Sequence, residues 1–141
     1  MKLTRRNVIS ATLATPVLAL PAWASGPIVY HFSPGVIEDA LADGKTVVAA
    51  YHAFWCGVCR RQERVLDRLR TENDAYNQLY FVRVDWDEYR DLPVSLDRDV
   101  FERSTILVLK GDEEVERAFS ATSVRRLTEI LDTALAADRR S

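Results

Sequence analysis

The chain has 141 residues, which is enough for one domain and leaves little room for a second. Hydrophobic residues make up 48% of it and charged residues 28%, the balance of a soluble globular protein. The formal net charge of −2 gives no electrostatic basis for binding nucleic acid, so we expect no partner of that class.

The N-terminal segment has the pattern of an export signal. Three basic side chains and no acidic one precede an apolar run at residues 8–20, and Ala22 and Ala24 then supply a small-x-small cleavage pattern. The apolar run is short for a membrane span and is interrupted by Pro16, so cleavage is favoured over anchoring. We therefore expect no stable membrane insertion once the signal has been removed.

Arg5 and Arg6 also resemble the arginine pair of a twin-arginine signal, which implies export in the folded state. The general secretory route stays open, because the apolar residues that follow the pair are smaller than is usual there. Both routes divide the chain into a cleavable signal, residues 1–24, and a mature domain, residues 25–141. Both predict the bacterial periplasm as the destination.

The mature chain predicts one α/β domain. Residues 46–54 form a nearly continuous apolar run, the pattern of a central parallel strand, whereas residues 114–119 alternate like an antiparallel partner of the strand before them. Residues 25–32 are expected to lead into the domain. The predicted order is α-β-α-β-α-β-β-α, at residues 33–44, 46–54, 56–70, 80–84, 99–102, 105–109, 114–119 and 123–137. Ser33 and Ser123 are predicted to cap the first and last helices, and Val58 and Val124 to lie on the apolar faces of their helices.

The chain contains two cysteines, Cys56 and Cys59, separated by Gly57 and Val58. A disulfide between them would close a very small loop and remove little chain entropy, so the pair suits reversible redox chemistry better than stabilisation. Cys56 is predicted at the N-terminus of a helix, where free N–H groups and the helix dipole favour the thiolate. This predicts Cys56 as the attacking thiolate and Cys59 as the resolving thiol, with Gly57 allowing a tight turn.

Residues 53–60, Ala-Phe-Trp-Cys-Gly-Val-Cys-Arg, and residues 105–112 resemble the corresponding segments of the thioredoxin family. The resemblance implies a central mixed β-sheet flanked by helices, and thiol–disulfide exchange with a protein or a small thiol. Three positions depart from the family pattern. Ala50 stands where a buried acid is usual, Ser104 where a cis-proline is usual, and Val58 where proline is common.

Several neighbours of the dithiol are candidate tuning or substrate-binding residues. Trp55 is expected to pack over the dithiol. Ser104, followed by Thr105, is expected in a loop with trans peptide bonds, where it either merely tolerates the loop geometry or places a hydroxyl that donates to a thiolate. Arg60 either lowers the pKa of Cys56 or lies on a solvated helix face. His52 is predicted to be a strand histidine bonded to a backbone group, in preference to a proton relay or a metal ligand.

These features predict an exported thiol–disulfide oxidoreductase that needs no cofactor and no metal. Its expected partners are exported thiol or disulfide proteins and a second protein that recharges the dithiol, and we expect a monomer. The sequence fits a reductant and an oxidant equally. Two alternatives remain open: a metal- or cluster-binding protein that uses the same cysteines, and a thioredoxin-like domain that binds proteins without catalysis.

Overall fold

The computed structural model describes residues 27–140. The predicted export signal, residues 1–24, lies outside them. Within the described part of the chain, no helix combines the length and apolar character that crossing a membrane requires.

Five strands form a single mixed sheet, and helices cover both of its faces. The strands are β1 Tyr30–His31, β2 Thr46–His52, β3 Tyr80–Asp85, β4 Thr105–Lys110 and β5 Glu113–Phe119. The helices are α1 Val36–Ala42, α2 Gly57–Glu72, α3 Trp86–Tyr89, α4 Pro93–Leu96 and α5 Val124–Asp138, with a 3-10 helix at Asp74–Gln78. The strand order is β1-β3-β2-β4-β5, and the predicted α/β fold class is confirmed.

The central strand β2 determines where the site forms. It runs parallel to β3, with His52 opposite Asp85, and antiparallel to β4, with Ala50 opposite Ile106. Because the carboxyl ends of parallel strands meet at one edge of a sheet, the residues that follow β2 and β3 are brought together there. The start of β4 reaches the same edge, since β4 runs in the opposite direction.

Alternate residues of β2 face two different hydrophobic clusters. Val48 and Ala50 pack with residues of α2 and α5, whereas Val47, Ala49 and Tyr51 pack with residues of α1 on the other face. The strand is therefore covered on both sides, as its continuous apolar run predicts. Its carboxyl end, His52, lies four residues before the first cysteine, Cys56.

The elements differ from the sequence-based expectations in three places. The segment that leads into the domain contains β1, which pairs with β3 at the sheet edge. The short helix expected at residues 99–102 is absent, because Asp99 has a left-handed backbone with φ 51°. The helices lie earlier in the chain, where the Asp85 side chain accepts hydrogen bonds from the N–H groups of Asp87 and Glu88 and so starts α3.

The start of α1 also differs from the prediction. Gly35, with φ 96°, occupies the N-cap position, and Ser33 contributes only a carbonyl that accepts from the Val36 N–H. In α5 the predicted cap, Ser123, is confirmed, but Val124 is 45% exposed and does not face the core. Val58 of α2 is exposed as well, so neither valine belongs to the apolar face assigned to its helix.

Candidate active site

Cys56 and Cys59 lie at the start of α2, at the edge where β2 ends. Cys56 is the N-cap residue of the helix, and its Sγ accepts a hydrogen bond of 3.2 Å from the backbone N–H of Cys59. Both thiols are free. Cys56 is 4% exposed and Cys59 only 1%, so the second sulfur is the more deeply enclosed of the two.

The hydroxyl of Ser104 lies between the two sulfurs. Its Oγ is 3.6 Å from Cys56 Sγ and 3.3 Å from Cys59 Sγ, and it can donate to either. Ser104 is itself 3% exposed. Of the two alternatives for Ser104, this geometry is the one in which its hydroxyl can donate to a thiolate.

The backbone of Ser104 explains why a proline does not fit here. Ser104 has φ 65°, and no peptide bond among residues 27–140 is cis. Its N–H donates to the Tyr51 carbonyl at 2.8 Å, and its carbonyl accepts from Ser120 N–H and from Gln62 Nε2. Proline has no N–H and a φ near −65°, so it would lose the bond to β2 and could not adopt this backbone.

The two thiols differ in acidity for identifiable reasons. Burial opposes ionisation of Cys56, but hydrogen bonds from the side chain and N–H of Cys59, from Ser104 and from Arg103 outweigh it and lower the pKa of Cys56 to about 7. Burial raises the pKa of Cys59, which also donates to Cys56. The first proton of the pair is therefore lost near neutral pH, and it is lost from Cys56 and not from Cys59.

Trp55 projects outward beside the dithiol. It is 57% exposed, its Nε1 donates to Asp87 Oδ2 at 2.8 Å, and the Arg103 guanidinium lies 4.6 Å from its ring centroid. The ring that packs against the buried cysteine cluster is instead Trp86, the first residue of α3. The sequence argument assigned the covering role to Trp55 and missed Trp86, although Trp86 directly follows β3.

The other predicted site residues, Arg60, Thr105 and Gly57, make no side-chain hydrogen bond to either sulfur. Arg60 donates to the Phe54 carbonyl at 3.1 Å, and the cation that hydrogen-bonds Cys56 is Arg103. Thr105 is buried, and its hydroxyl donates to the Glu102 carbonyl. Gly57 does not have a left-handed backbone, and a Cβ added to it would meet no atom within 4 Å, so the turn does not require glycine.

His52 does not make the backbone hydrogen bond predicted for it. It is 5% exposed, and neither ring nitrogen has a hydrogen-bond partner among the described residues. Nor does it help to form a metal site: residues 27–140 contain no group of three or more His, Cys, Asp or Glu side chains arranged to hold an ion.

Sequence reasoning missed four side chains that build this site: Gln62, Trp86, Asp87 and Arg103. Trp86 and Asp87 follow the carboxyl end of β3, and a parallel arrangement of β2 and β3 would have placed them beside the cysteines. Gln62 is buried and bridges the carbonyls of Ser104 and Ala121. The available signal was a glutamine in line with Cys59 and Leu66 on the buried face of an otherwise charged helix.

A buried pair of free thiols of unequal acidity, held at a helix N-terminus beside a mixed sheet, defines the class of thioredoxin-fold dithiol proteins. The sequence model of the family described as Thioredoxin matches residues 30–133. The chain therefore belongs to the thioredoxin family.

Curated relatives and solved structures agree with this assignment. The chain is 35% identical over 86 residues to Thioredoxin H4-2 of Oryza sativa subsp. japonica, covering 60% of this chain and 61% of that protein. It is 30% identical over 84 residues to Thioredoxin-1 of Saccharomyces cerevisiae, and the match covers 60% of this chain and 77% of that protein. The crystal structure of Trxlp from Edwardsiella tarda EIB202 superposes with a TM-score of 0.67 at 30% identity, covering 74% of this chain and 98% of that one.

Ser104 is expected to set the acidity of Cys56 through its hydroxyl. In the wild type, alkylation of Cys56 by iodoacetamide should follow an apparent pKa of about 7. Replacing Ser104 by Ala or by Gly removes the hydroxyl and should raise that pKa by about one unit, because one charge-assisted hydrogen bond is lost. The measurement is the rate of Cys56 modification against pH, resolved by peptide mass spectrometry.

The two variants control for each other. Gly suits the positive φ of position 104 and Ala does not, so Ser104→Gly should retain more thermal stability than Ser104→Ala. A hydroxyl effect predicts equal pKa changes in both variants. A pKa change in Ser104→Ala alone would assign the effect to the backbone, and no change in either would contradict the prediction.

Proposed function

We propose that this chain is an exported thiol–disulfide oxidoreductase in which Cys56 attacks and Cys59 resolves. The observation that carries the proposal is the unequal acidity of the two sulfurs, with the pKa of Cys56 lowered to about 7 and that of Cys59 raised. Thiolates, and not thiols, attack disulfides. Since the chain spans 61% of the length of the rice relative it matches first, this activity is proposed for the described domain.

The exchange proceeds in two steps. The Cys56 thiolate attacks a substrate disulfide, a mixed disulfide forms, and one substrate sulfur leaves as a thiolate. Cys59, one helical turn away, then loses its proton and attacks Cys56 Sγ as a thiolate, and the second substrate sulfur leaves as a thiolate that takes up a proton. Two electrons pass from the dithiol to the substrate, and a recharging partner must return them.

The surface around the dithiol suits a protein substrate. Phe54, Trp55 and Val58 are exposed by 61%, 57% and 41%, and the space above Gly57 is open. Exposed apolar side chains grouped together mark interaction sites. An extended segment of a disulfide-containing protein would reach Cys56 across this surface.

Catalysis is expected to depend on both cysteines in different ways. Wild-type protein should accelerate reduction of insulin disulfides by dithiothreitol, whereas Cys56→Ser should fall to the uncatalysed background. Cys59→Ser should form a mixed disulfide with its substrate and retain it, because the resolving thiol is missing. Turbidity and non-reducing electrophoresis measure the two effects.

The matched variants also define the outcomes against the proposal. A trapped complex in Cys56→Ser but not in Cys59→Ser would reverse the two roles. Wild-type protein that neither reduces nor oxidises a dithiol substrate would leave a domain that only binds proteins.

The acidity of Cys56 favours the reducing direction. A strong oxidant stabilises its thiolate much more, to a pKa of about 3.5, whereas a value of about 7 accompanies reductants. The Cys56–Cys59 pair should therefore equilibrate with glutathione at a potential nearer to about −270 mV than to about −120 mV. A measured potential of about −120 mV would instead show that the protein acts as an oxidant.

Export of the protein is proposed from residues 1–24, where basic residues, an apolar run and a small-x-small pattern follow one another. When the full chain is expressed in a bacterium, the periplasmic fraction should contain a protein that begins at Ser25, as mass spectrometry can verify. Changing Arg5 and Arg6 to Lys separates the routes, because only twin-arginine export should stop. An unprocessed chain that stays in the cytoplasm would contradict the proposal.

A further inference from the structure

A small cavity lies between β2, β3 and α2, and Cys59 forms part of its wall. Its volume is about 30 Å³. Ala50 and His52 line it from β2, Arg83 from β3 and Glu63 from α2. Because the Ala50 side chain is small, space remains between the sheet and the helix, and this space is large enough for a water molecule.

His52 brings a buried polar ring without hydrogen bonds to this cavity. It is 5% exposed, its Nε2 lies 3.4 Å from Glu63 Oε2 without making a hydrogen bond, and its Nδ1 also makes none to a described residue. The ring packs edge-to-face against Phe54, which helps to separate it from solvent. Burying a polar group without a partner is costly, so an ordered water in the cavity is the natural partner for this imidazole.

The charges around His52 keep its imidazole neutral at neutral pH. Burial and the positive charge of Arg83 lower the pKa of His52, and Arg60 acts in the same direction, whereas Asp85 opposes them. Glu63 does not reverse the effect, because its carboxylate is already ion-paired with Arg83. The other titratable groups on the cavity wall are Cys59, Asp67 and Arg70.

Cys59 needs a proton acceptor inside the protein. The residue is 1% exposed, and burial raises the pKa of its thiol, so direct loss of the proton to bulk water is disfavoured. The Ser104 hydroxyl is close, at 3.3 Å, but a hydroxyl is not a base at neutral pH. Two carboxylates share this wall: that of Glu63 is ion-paired with Arg83, and that of Asp67, whose pKa is raised by burial, lies near the positive charge of Arg70. His52 is the neutral base on the wall, and its imidazole can accept the proton without first leaving an ion pair.

We propose, building on the function proposed above, that His52 accepts the proton of Cys59 through one ordered water in this cavity when Cys59 attacks the mixed disulfide. The Cys59 thiol passes its proton through the water to an imidazole nitrogen and becomes a thiolate. A bond forms between Cys59 Sγ and Cys56 Sγ, and the bond from Cys56 to the substrate sulfur breaks. The electron pair leaves with the substrate thiolate, and the imidazolium later returns its proton to solvent.

Glu63 acts as a positioning residue in this step. Its Oε1 pairs with Arg83, and its Oε2 lies 3.4 Å from His52 Nε2. The carboxylate therefore faces one ring nitrogen and stabilises the imidazolium once that has formed. The pairing with Arg83 fixes the carboxylate between strand and helix.

The test separates the two steps of exchange in time. Reduced protein is mixed with the aromatic disulfide 5,5′-dithiobis(2-nitrobenzoate) in a stopped-flow instrument. The first coloured thiolate is released when Cys56 attacks and the second when Cys59 resolves. His52→Gln should leave the first phase unchanged within about twofold and slow the second by about 10²-fold at pH 7, the lower range for a general base.

The pH profile distinguishes proton transfer from a structural effect. The second phase should level off in the wild type above the pKa of His52, whereas in His52→Gln it should rise with pH until Cys59 ionises by itself. Asp67→Asn changes another carboxylate on the same wall and should leave both phases unchanged. A second phase that is slow in Asp67→Asn and normal in His52→Gln would overturn the proposal.

A measurement on the wild type covers the case in which His52→Gln does not fold. In an NMR titration of the imidazole signals, the pKa of His52 should differ between the dithiol and disulfide forms. Equal His52 values in both forms would overturn the relay. If the wild type released no coloured thiolate in the first phase, the proposed function itself would fail.

Discussion

Ser104 is the residue on which the geometry of the dithiol depends. Its N–H is bonded to the end of β2 through Tyr51, its carbonyl to α2 through Gln62, and its hydroxyl reaches both sulfurs. One residue thus joins the central strand, the helix that carries the cysteines and the two reacting atoms. The left-handed backbone of Ser104 makes these three contacts possible at once.

The two cysteines are neighbours in sequence but differ in environment. Cys56 lies at the N-terminus of α2, where the backbone N–H of Cys59 and the side chains of Ser104 and Arg103 can stabilise a negative charge. Cys59 is one turn inside, where burial dominates. A single helical turn is therefore enough to give the same side chain two different chemical roles.

The sequence predicted most of the fold because its strands are strongly patterned. The continuous apolar run of β2 predicted a buried central strand, and the alternation of β5 predicted an antiparallel strand. The Cys-x-x-Cys spacing located the dithiol at the start of a helix. The short elements were not predicted: β1 has two residues and is stabilised only by pairing with β3, while α3 depends on the Asp85 side chain. Such short elements depend on tertiary contacts and capping side chains, which the periodicity of apolar residues in the sequence does not predict.

The surroundings of the dithiol were predictable only in part, because they come from distant parts of the chain. Trp86 and Arg103 approach the cysteines through the strand order, and the buried state of His52 follows from the packing of β2 against α2. A single sequence gives the residue types but not these distances.

The open space over the helix start has an evolutionary consequence. A side chain added at Gly57 would meet no atom within 4 Å, and Val58 next to it is 41% exposed. Packing therefore constrains the two positions between the cysteines less than it constrains the buried cysteines, although both positions lie beside the sulfur that a substrate must reach. Selection could change the choice of substrate at these positions with little cost in folding stability.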